Sequence, residues 1–190
     1  MNKTKRLFFA THIVSPLIHT HLLPHLKKAL DGESISWTKP EQLHITLRFL
    51  GDTHENLIPD IERAFAKALD DTQPFDINLC KVKMFGSRYK PTVLWIGAED
   101  NGQMKKLFFQ IEQQLKKLGI HGDRQNFISH LTLCRIKRLK DLKNFQKTIE
   151  QYSEFQAETT IVDTFTLFES RLEKSGAVHI PLRKFLLKTK

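Results

Sequence analysis

Two segments, HITLRFLG from His44 to Gly51 and HLTLCRIK from His130 to Lys137, place a histidine and a threonine two residues apart inside an apolar run. They lie 86 positions apart (130 − 44). In an extended strand alternate side chains point to opposite faces. His44 and Thr46 then share one face while Ile45 and Leu47 enter a core, and His130 and Thr132 stand in the same relation to Leu131 and Leu133. One such pair fits a half-buried histidine bonded to backbone. Two pairs in matching strands point instead to two related strands that present imidazoles and hydroxyls to one cleft.

The rest of the chain supplies strands and helices around this repeated pair. Arg6 to Ile13 reads as a first strand, and Ser15-Pro16 as the cap and first-turn pair of a helix carrying Ile18, Leu22, Leu26, Ala29 and Leu30. A turn around Pro40 precedes the strand Leu43 to Leu50, after which Gly51-Asp52 opens a loop. A helix follows with Leu57, Ile61, Ala64, Phe65 and Ala68 on one side, then strands Phe75 to Met84 and Thr92 to Ala98 joined by the basic loop FGSRYKP. The spacing of Met104, Leu107, Phe108, Ile111, Leu115 and Leu118 predicts a helix over Gln103 to Leu118, stopped by Gly119. Strand Phe127 to Ile136 comes next, then a helix with Leu139, Leu142, Phe145, Ile149 and Tyr152. Strands Thr159 to Glu169 and Ala177 to Leu187 close the chain around a turn at Ser175-Gly176. The order is βαβαββαβαββ, an α+β pattern. With 190 residues, 40% hydrophobic content and no Pro-, Gly- or Ser-rich linker, we expect residues 1–190 to form a single domain of two closely packed lobes.

Thirty Lys and Arg against 21 Asp and Glu give a formal charge of +9, which favours an anionic partner. The cations are spread, with only a loose cluster from Arg135 to Lys147, so the repeated pair carries more information than the charge. Cys80 and Cys134 sit in apolar, strand-like runs and read as reduced thiols, which fits a cytoplasmic location. The apolar run near the start is broken at Thr11 and His12 and reads as a strand rather than a leader, and no segment approaches the length of a membrane span. His21 and His25, four apart with His19 close by, have a spacing that can bind zinc. No cysteine or third helical ligand stands near them, and no metal is assigned. Neither a Walker-type phosphate loop nor a nucleotidylating lysine motif is present.

Two imidazoles with an ordinary pKa near 6.5 can supply one base and one acid, and two threonine hydroxyls can donate to phosphate oxygens. Arg48 and Arg135 are candidates for additional substrate contact. Strand parity favours Arg48, which matches His44, over Arg135, which differs from His130, unless a bulge intervenes.

The chain resembles the 2H phosphoesterase superfamily, and within it the RNA 2′,3′-cyclic phosphodiesterases, also called LigT-like or 2′-5′ RNA ligase-like proteins. The resemblance rests on both motifs and on ordered blocks along nearly the whole chain: RLFFAT, W..PEQLHITLRFLG, PTVLWIGAE, SHLTLCR and FTLFES.L...G. It implies a bilobal α+β fold, two pseudo-symmetric antiparallel-sheet lobes with outer helices around a central cleft, each lobe contributing one motif. It also implies hydrolysis of a terminal 2′,3′-cyclic phosphate to a 2′-phosphomonoester without metal or cofactor, with His44 as proton donor, His130 as proton acceptor, and Thr46 and Thr132 holding the phosphate. The expected partner is an RNA or oligonucleotide with a 2′,3′-cyclic phosphate end, with no membrane involved, and the chain is expected to be a monomer. Two positions depart from the family pattern: Ser129 stands where proline is common, and His179 where tyrosine is usual. The same residues would serve 2′-5′ RNA ligation, the reverse reaction. A non-catalytic RNA-binding protein, with Phe9, Tyr89 or Trp95 stacking on bases, is the reading from another class.

Overall fold

The structure, a computed structural model, describes residues 3–122, 127–173 and 176–188. The described residues form nine strands and four α-helices: β1 (Thr4–His12), α1 (Leu23–Ala29), β2 (Ser34–Trp37), β3 (His44–His54), α2 (Ile58–Leu69), β4 (Phe75–Ser87) and β5 (Lys90–Glu99). They continue as α3 (Gln103–Lys117), β6 (His130–Arg138), α4 (Leu142–Glu150), β7 (Gln156–Val162), β8 (Thr164–Glu173) and β9 (Gly176–Leu186). All strand pairing is antiparallel, in the order β7-β4-β5-β6-β3-β1-β8-β9, with β2 on β6.

The two expected lobes are the two halves of this one sheet, β3-β1-β8-β9 and β6-β5-β4-β7. They meet at a single pair, Ile45 opposite Leu131. These two residues are themselves 86 apart (131 − 45), so an approximate two-fold axis runs through the junction and relates the motif strands β3 and β6. Ile45, Leu47, Leu131 and Leu133 enter the core, where Leu22 and Leu26, Ile61 and Phe65, Ile111 and Leu115, and Phe145 arrive from the helices. Each helix thus buries the apolar stripe its spacing predicts, leaving the other sheet face free for polar side chains.

Local signals explain most of the boundaries. Ser15 Oγ accepts from Ile18 N–H at 3.2 Å and so caps the first helical turn, which runs as a π-helical segment (Ile18–Leu22) into α1. Asp141 caps α4 through Asn144 N–H at 2.9 Å.

Four expectations need correction. The stretch before Pro40 contains the short strand β2, whose four residues are held by pairing with β6 and carry no periodic signal of their own. The strand β3 does not stop at Leu50 but runs to His54. Gly51, with φ of 70°, sits in the strand beside a bulge, where Leu7 pairs with Gly51 and Phe8 with Phe49. The basic segment FGSRYKP joins the two strands as expected, but β4 runs on to Ser87 and β5 begins at Lys90, so only Arg88 and Tyr89 turn, and a Cβ at Gly86 would lie 2.4 Å from the Lys90 carbonyl oxygen. Thr159 belongs to β7, and the extended run is interrupted at Asp163 before β8, so the last two expected strands are three. Ser175 of the expected turn lies outside the described residues. Among the described residues no helix is long and apolar enough to cross a membrane.

Candidate active site

The face opposite the core carries a cleft of about 550 Å³ lined by His44, Thr46, His130, Thr132 and Arg135. The four motif side chains converge because they sit on alternate positions of two strands that meet at Ile45 and Leu131. Antiparallel register about that pair sets His44 across from Thr132 and Thr46 across from His130.

Both imidazoles are oriented in the same way. His44 Nδ1–H donates to the Gln42 carbonyl at 2.7 Å, and His130 Nδ1–H donates to the Ile128 carbonyl at 2.7 Å. A carbonyl only accepts, so the proton on Nδ1 is fixed and Nε2 is left on each ring as the atom that takes or gives a proton. Each carbonyl lies two residues before its histidine, so the tautomer is set by backbone leading into the motif strand.

Aromatic packing completes both rings' surroundings. His44 lies 5.2 Å from Phe8 and 5.0 Å from His179, which are themselves 4.8 Å apart, a triangle of rings. His130 lies 4.9 Å from Phe85 and 5.6 Å from Trp95, which are 4.9 Å apart, a second triangle. Burial lowers both pKa values. His44 is brought from 6.5 to about 4, with the Gln42 carbonyl opposing and His179, His12 and His130 adding to the depression. His130 is also lowered by burial, with the Ile128 carbonyl opposing and Arg135 adding. Both rings are therefore predominantly neutral at pH 7.

The arginines change places relative to expectation. In β3, Phe9 pairs with Arg48 and Ala10 with Thr46, so Leu47 is an extra residue. In β6, Leu94 pairs with Cys134 and Trp95 with Thr132, so Leu133 is extra. A bulge puts two consecutive residues on one face and reverses parity beyond it. Arg48 therefore turns with Leu47 away from the cleft, where its Nε donates to Glu112 of α3 and its Nη1 to the Phe49 carbonyl. Arg135 turns into the cleft. The positions remain paired by 86: Arg48 matches Cys134, buried with its thiol pushed up to about 12, and Phe49 matches Arg135.

Several cleft residues were not singled out by sequence. Phe49 and Arg6 line one side, the Arg6 guanidinium 4.9 Å from the centre of the Phe49 ring, and Trp37 and Lys39 line another. Phe49 was detectable in principle, as the partner of Arg135 at the 86-residue offset. Gln42 Nε2–H donates to the Ala177 carbonyl at 2.9 Å and ties β9 to the segment before β3. His179, which stands where the family pattern has tyrosine, lies in the cleft against His44. Ser129 stays outside the cleft lining, its carbonyl accepting from Ala98 N–H at 3.2 Å. Among the described residues no Asp or Glu lines the cleft, whereas Arg6, Lys39 and Arg135 do. Such a site favours an anion and offers imidazole as its proton carrier.

Comparison with known proteins gives the same picture. The LigT-like phosphoesterase family model matches the chain over residues 20–95 and again over 96–179, once per half. A crystal structure of a Thermus thermophilus protein superposes with a TM-score of 0.79 at 25% identity, covering 96% of this chain and 97% of that one. Escherichia coli LigT in its apo form superposes with a TM-score of 0.74 at 20% identity over 98% and 99% of the two chains. Fold and paired motifs define an enzyme of the phosphoesterase class. An Archaeoglobus fulgidus protein named RNA 2′,3′-cyclic phosphodiesterase is 33% identical over 180 residues, 95% of this chain and 99% of that protein. The chain belongs to the LigT-like phosphoesterase family.

Proposed function

We propose that the protein hydrolyses a terminal 2′,3′-cyclic phosphate on RNA to a 2′-phosphomonoester, with His44 and His130 as the acid–base pair. The observation that carries this reading is the matched pair of histidines, each with Nδ1–H committed to a backbone carbonyl and Nε2 left for the cleft, on two strands related by a two-fold axis. A phosphorus atom near that axis has one imidazole on either side. In-line displacement needs this, since water must enter opposite the departing oxygen.

In the reaction His130 Nε2 takes a proton from water as its oxygen bonds to phosphorus. The bond from phosphorus to the ribose 3′-oxygen breaks, and His44 Nε2–H protonates that oxygen. Thr46 and Thr132 donate to the non-bridging oxygens, and Arg135 adds positive charge where the phosphorane gains negative charge. Phe49, with Arg6 against it, offers a ring on which the terminal base can stack. The assignment of donor and acceptor follows the family resemblance.

His44 at about 4 holds no proton at pH 7 in the empty cleft, so its role as acid depends on the substrate. A phosphate monoanion about 5 Å from the ring contributes roughly 3 kcal/mol at an effective dielectric constant near 20, about two pKa units in favour of the imidazolium. Binding thus raises the fraction of His44 held as the imidazolium that the reaction uses about a hundredfold, although the neutral ring still predominates at pH 7.

The test is a short RNA ending in a 2′,3′-cyclic phosphate, incubated in chelator and without ATP, with identification of the terminal phosphate formed. Opening to a 2′-phosphate by the wild type and loss of opening in His44→Ala and His130→Ala is the expected result. Tight RNA binding that survives both substitutions, with no product from any form, would instead establish a binding protein.

A further inference from the structure

His179 is an edge-strand residue that the fold brings a long way. In sheet order β9 is three strands from β3, with β1 and β8 between, roughly 14 Å in a flat sheet at the usual strand spacing. Yet the His179 and His44 ring centres are 5.0 Å apart, with their planes at 86°. The sheet has curled its edge over the cleft. The Gln42 side chain fastens the curl to the Ala177 carbonyl, two residues from His179, while the Gln42 carbonyl orients His44. One residue therefore registers both imidazoles, and Phe8 packs against each.

Nothing in the surroundings employs the His179 ring in another way. Among the described residues no side chain or carbonyl hydrogen-bonds to it, and it lines the cleft. On β8, the strand paired with β9, the buried carboxylate is Glu169, which Arg171 engages at 2.6 Å and Lys5 of β1 at 3.4 Å. Those partners hold its carboxyl below the usual range, so it is committed elsewhere. The other charged or titratable groups facing this space are His44 on β3, His12 and Arg6 on β1, and, from the far half, Lys39, His130 and Arg135. All are basic. Burial without a counter-charge keeps the His179 ring neutral when the cleft is empty, as it does His44. An anion bound in the cleft against both rings eases that restraint on each.

We propose that His179 is a third phosphate-binding imidazole of the cleft, joining His44 to clamp a dianionic terminal phosphomonoester and taking up a proton as that ligand enters. The ligand class is the reaction's own product, a ribose 2′-monophosphate, whose second charge the monoanionic cyclic diester lacks. The inference rests on the proposed reading of the cleft as a phosphate site and extends it. The product is held more firmly than the substrate, and release slows as pH falls toward the second ionisation of the phosphate, near 6.

The experiment is calorimetric titration of the intact protein with adenosine 2′-monophosphate at pH 7, in two buffers of different ionisation enthalpy, which yields both affinity and the number of protons taken up. Wild type, His179→Phe and His179→Gln are compared. The phenylalanine keeps the packing and loses both donor and proton site. The glutamine keeps a donor and cannot be charged. We expect proton uptake by the wild type and reduced uptake by both variants. Affinity should fall about tenfold or more for His179→Phe and less for His179→Gln, the size of one charge-assisted hydrogen bond. Uptake and affinity unchanged in both variants would overturn the role of His179 and leave the site's phosphate reading intact. No binding of adenosine 2′-monophosphate or inorganic phosphate by the wild type would overturn both.

Discussion

The two halves of the cleft share a histidine, a threonine, a backbone carbonyl on Nδ1 and a bulge after the motif, and differ in what stands around them. On the His44 side the ring triangle includes a second imidazole, His179, and the residue beyond the bulge is Phe49. On the His130 side the triangle is hydrocarbon and indole, and the residue beyond the bulge is Arg135. Perfect duplication would leave acid and base interchangeable. The unshared residues break that equivalence, giving one half a stacking platform and the other a fixed cation. On the proposed reading, what the fold repeats is the proton chemistry, and what it varies is the recognition.

The repeated part should respond symmetrically. His44→Ala and His130→Ala are each expected to lower kcat by roughly 10²–10⁴-fold, and the double variant should be little slower than the worse single one, because the pair works as a unit. Additive losses would mean that the two imidazoles act in separate steps. The pH dependence should show the coupling too. Both pKa values of the free enzyme lie below 6.5, so the kcat/KM bell centres below that value, whereas kcat, reporting the complex, is displaced upward. Coincident bells would remove the argument that substrate charges the acid.

The same depression links to stability, with its sign set by burial. An unfolded histidine titrates near 6.5, and His44 in the fold near 4, so the unfolded chain binds more protons in between. The contribution is present above 6.5 and is lost as pH falls toward 4, on the order of 3 kcal/mol at most. Tm should drop over this window, and His44→Asn should flatten the drop. An equal drop in the variant would place the effect elsewhere, His130 and His179 being lowered too.

The unshared part should respond unequally. Arg135→Gln is expected to lower kcat/KM by about tenfold to a hundredfold with a lower kcat, because charge grows on the phosphoryl oxygens in the transition state. Phe49→Leu should raise KM several-fold with kcat nearly unchanged, since stacking is equal in ground and transition states. Reversal of these two signatures would exchange the roles of the halves.

Much of this was legible in the sequence, and the failures have a common cause. The repeat at 86 residues singled out the four motif positions, because alternation along a strand is a local property, whereas the two related lobes and their central cleft came from the family resemblance. Helices with strict apolar spacing, such as Gln103–Lys117, were found almost to the residue. What alternation cannot predict is its own interruption. The extra residues at Leu47 and Leu133 are ordinary leucines, and no local signal distinguishes a bulged leucine from a regular one. Arg48 was therefore favoured and Arg135 demoted, the reverse of their placement. Strand β2 and the curl that carries His179 to His44 likewise arise from pairing between distant segments, to which a linear reading is blind.

Arg48 supplies the mildest test of the comparison. Its partner Glu112 belongs to α3, so the pair pins the bulged turn of β3 to a helix on the far side of the sheet. At the matching position β6 has Cys134, buried with no ion pair among the described residues, and the bulge there has the same form. The bulge consequently does not need the arginine. Arg48→Met, similar in length and apolar, keeps the stem's packing and removes the ion pair. Glu112 is left unpaired but still reached by water, its side chain 23% exposed, so the cost should be about 1 kcal/mol and not the 3–5 typical of a stranded buried charge. Denaturant titration should show that small loss with kcat/KM within about twofold of wild type, since the side chain lies outside the cleft. A large fall in kcat/KM would mean that the bulge in β3 depends on Arg48, and that two strands alike in register are held by different forces.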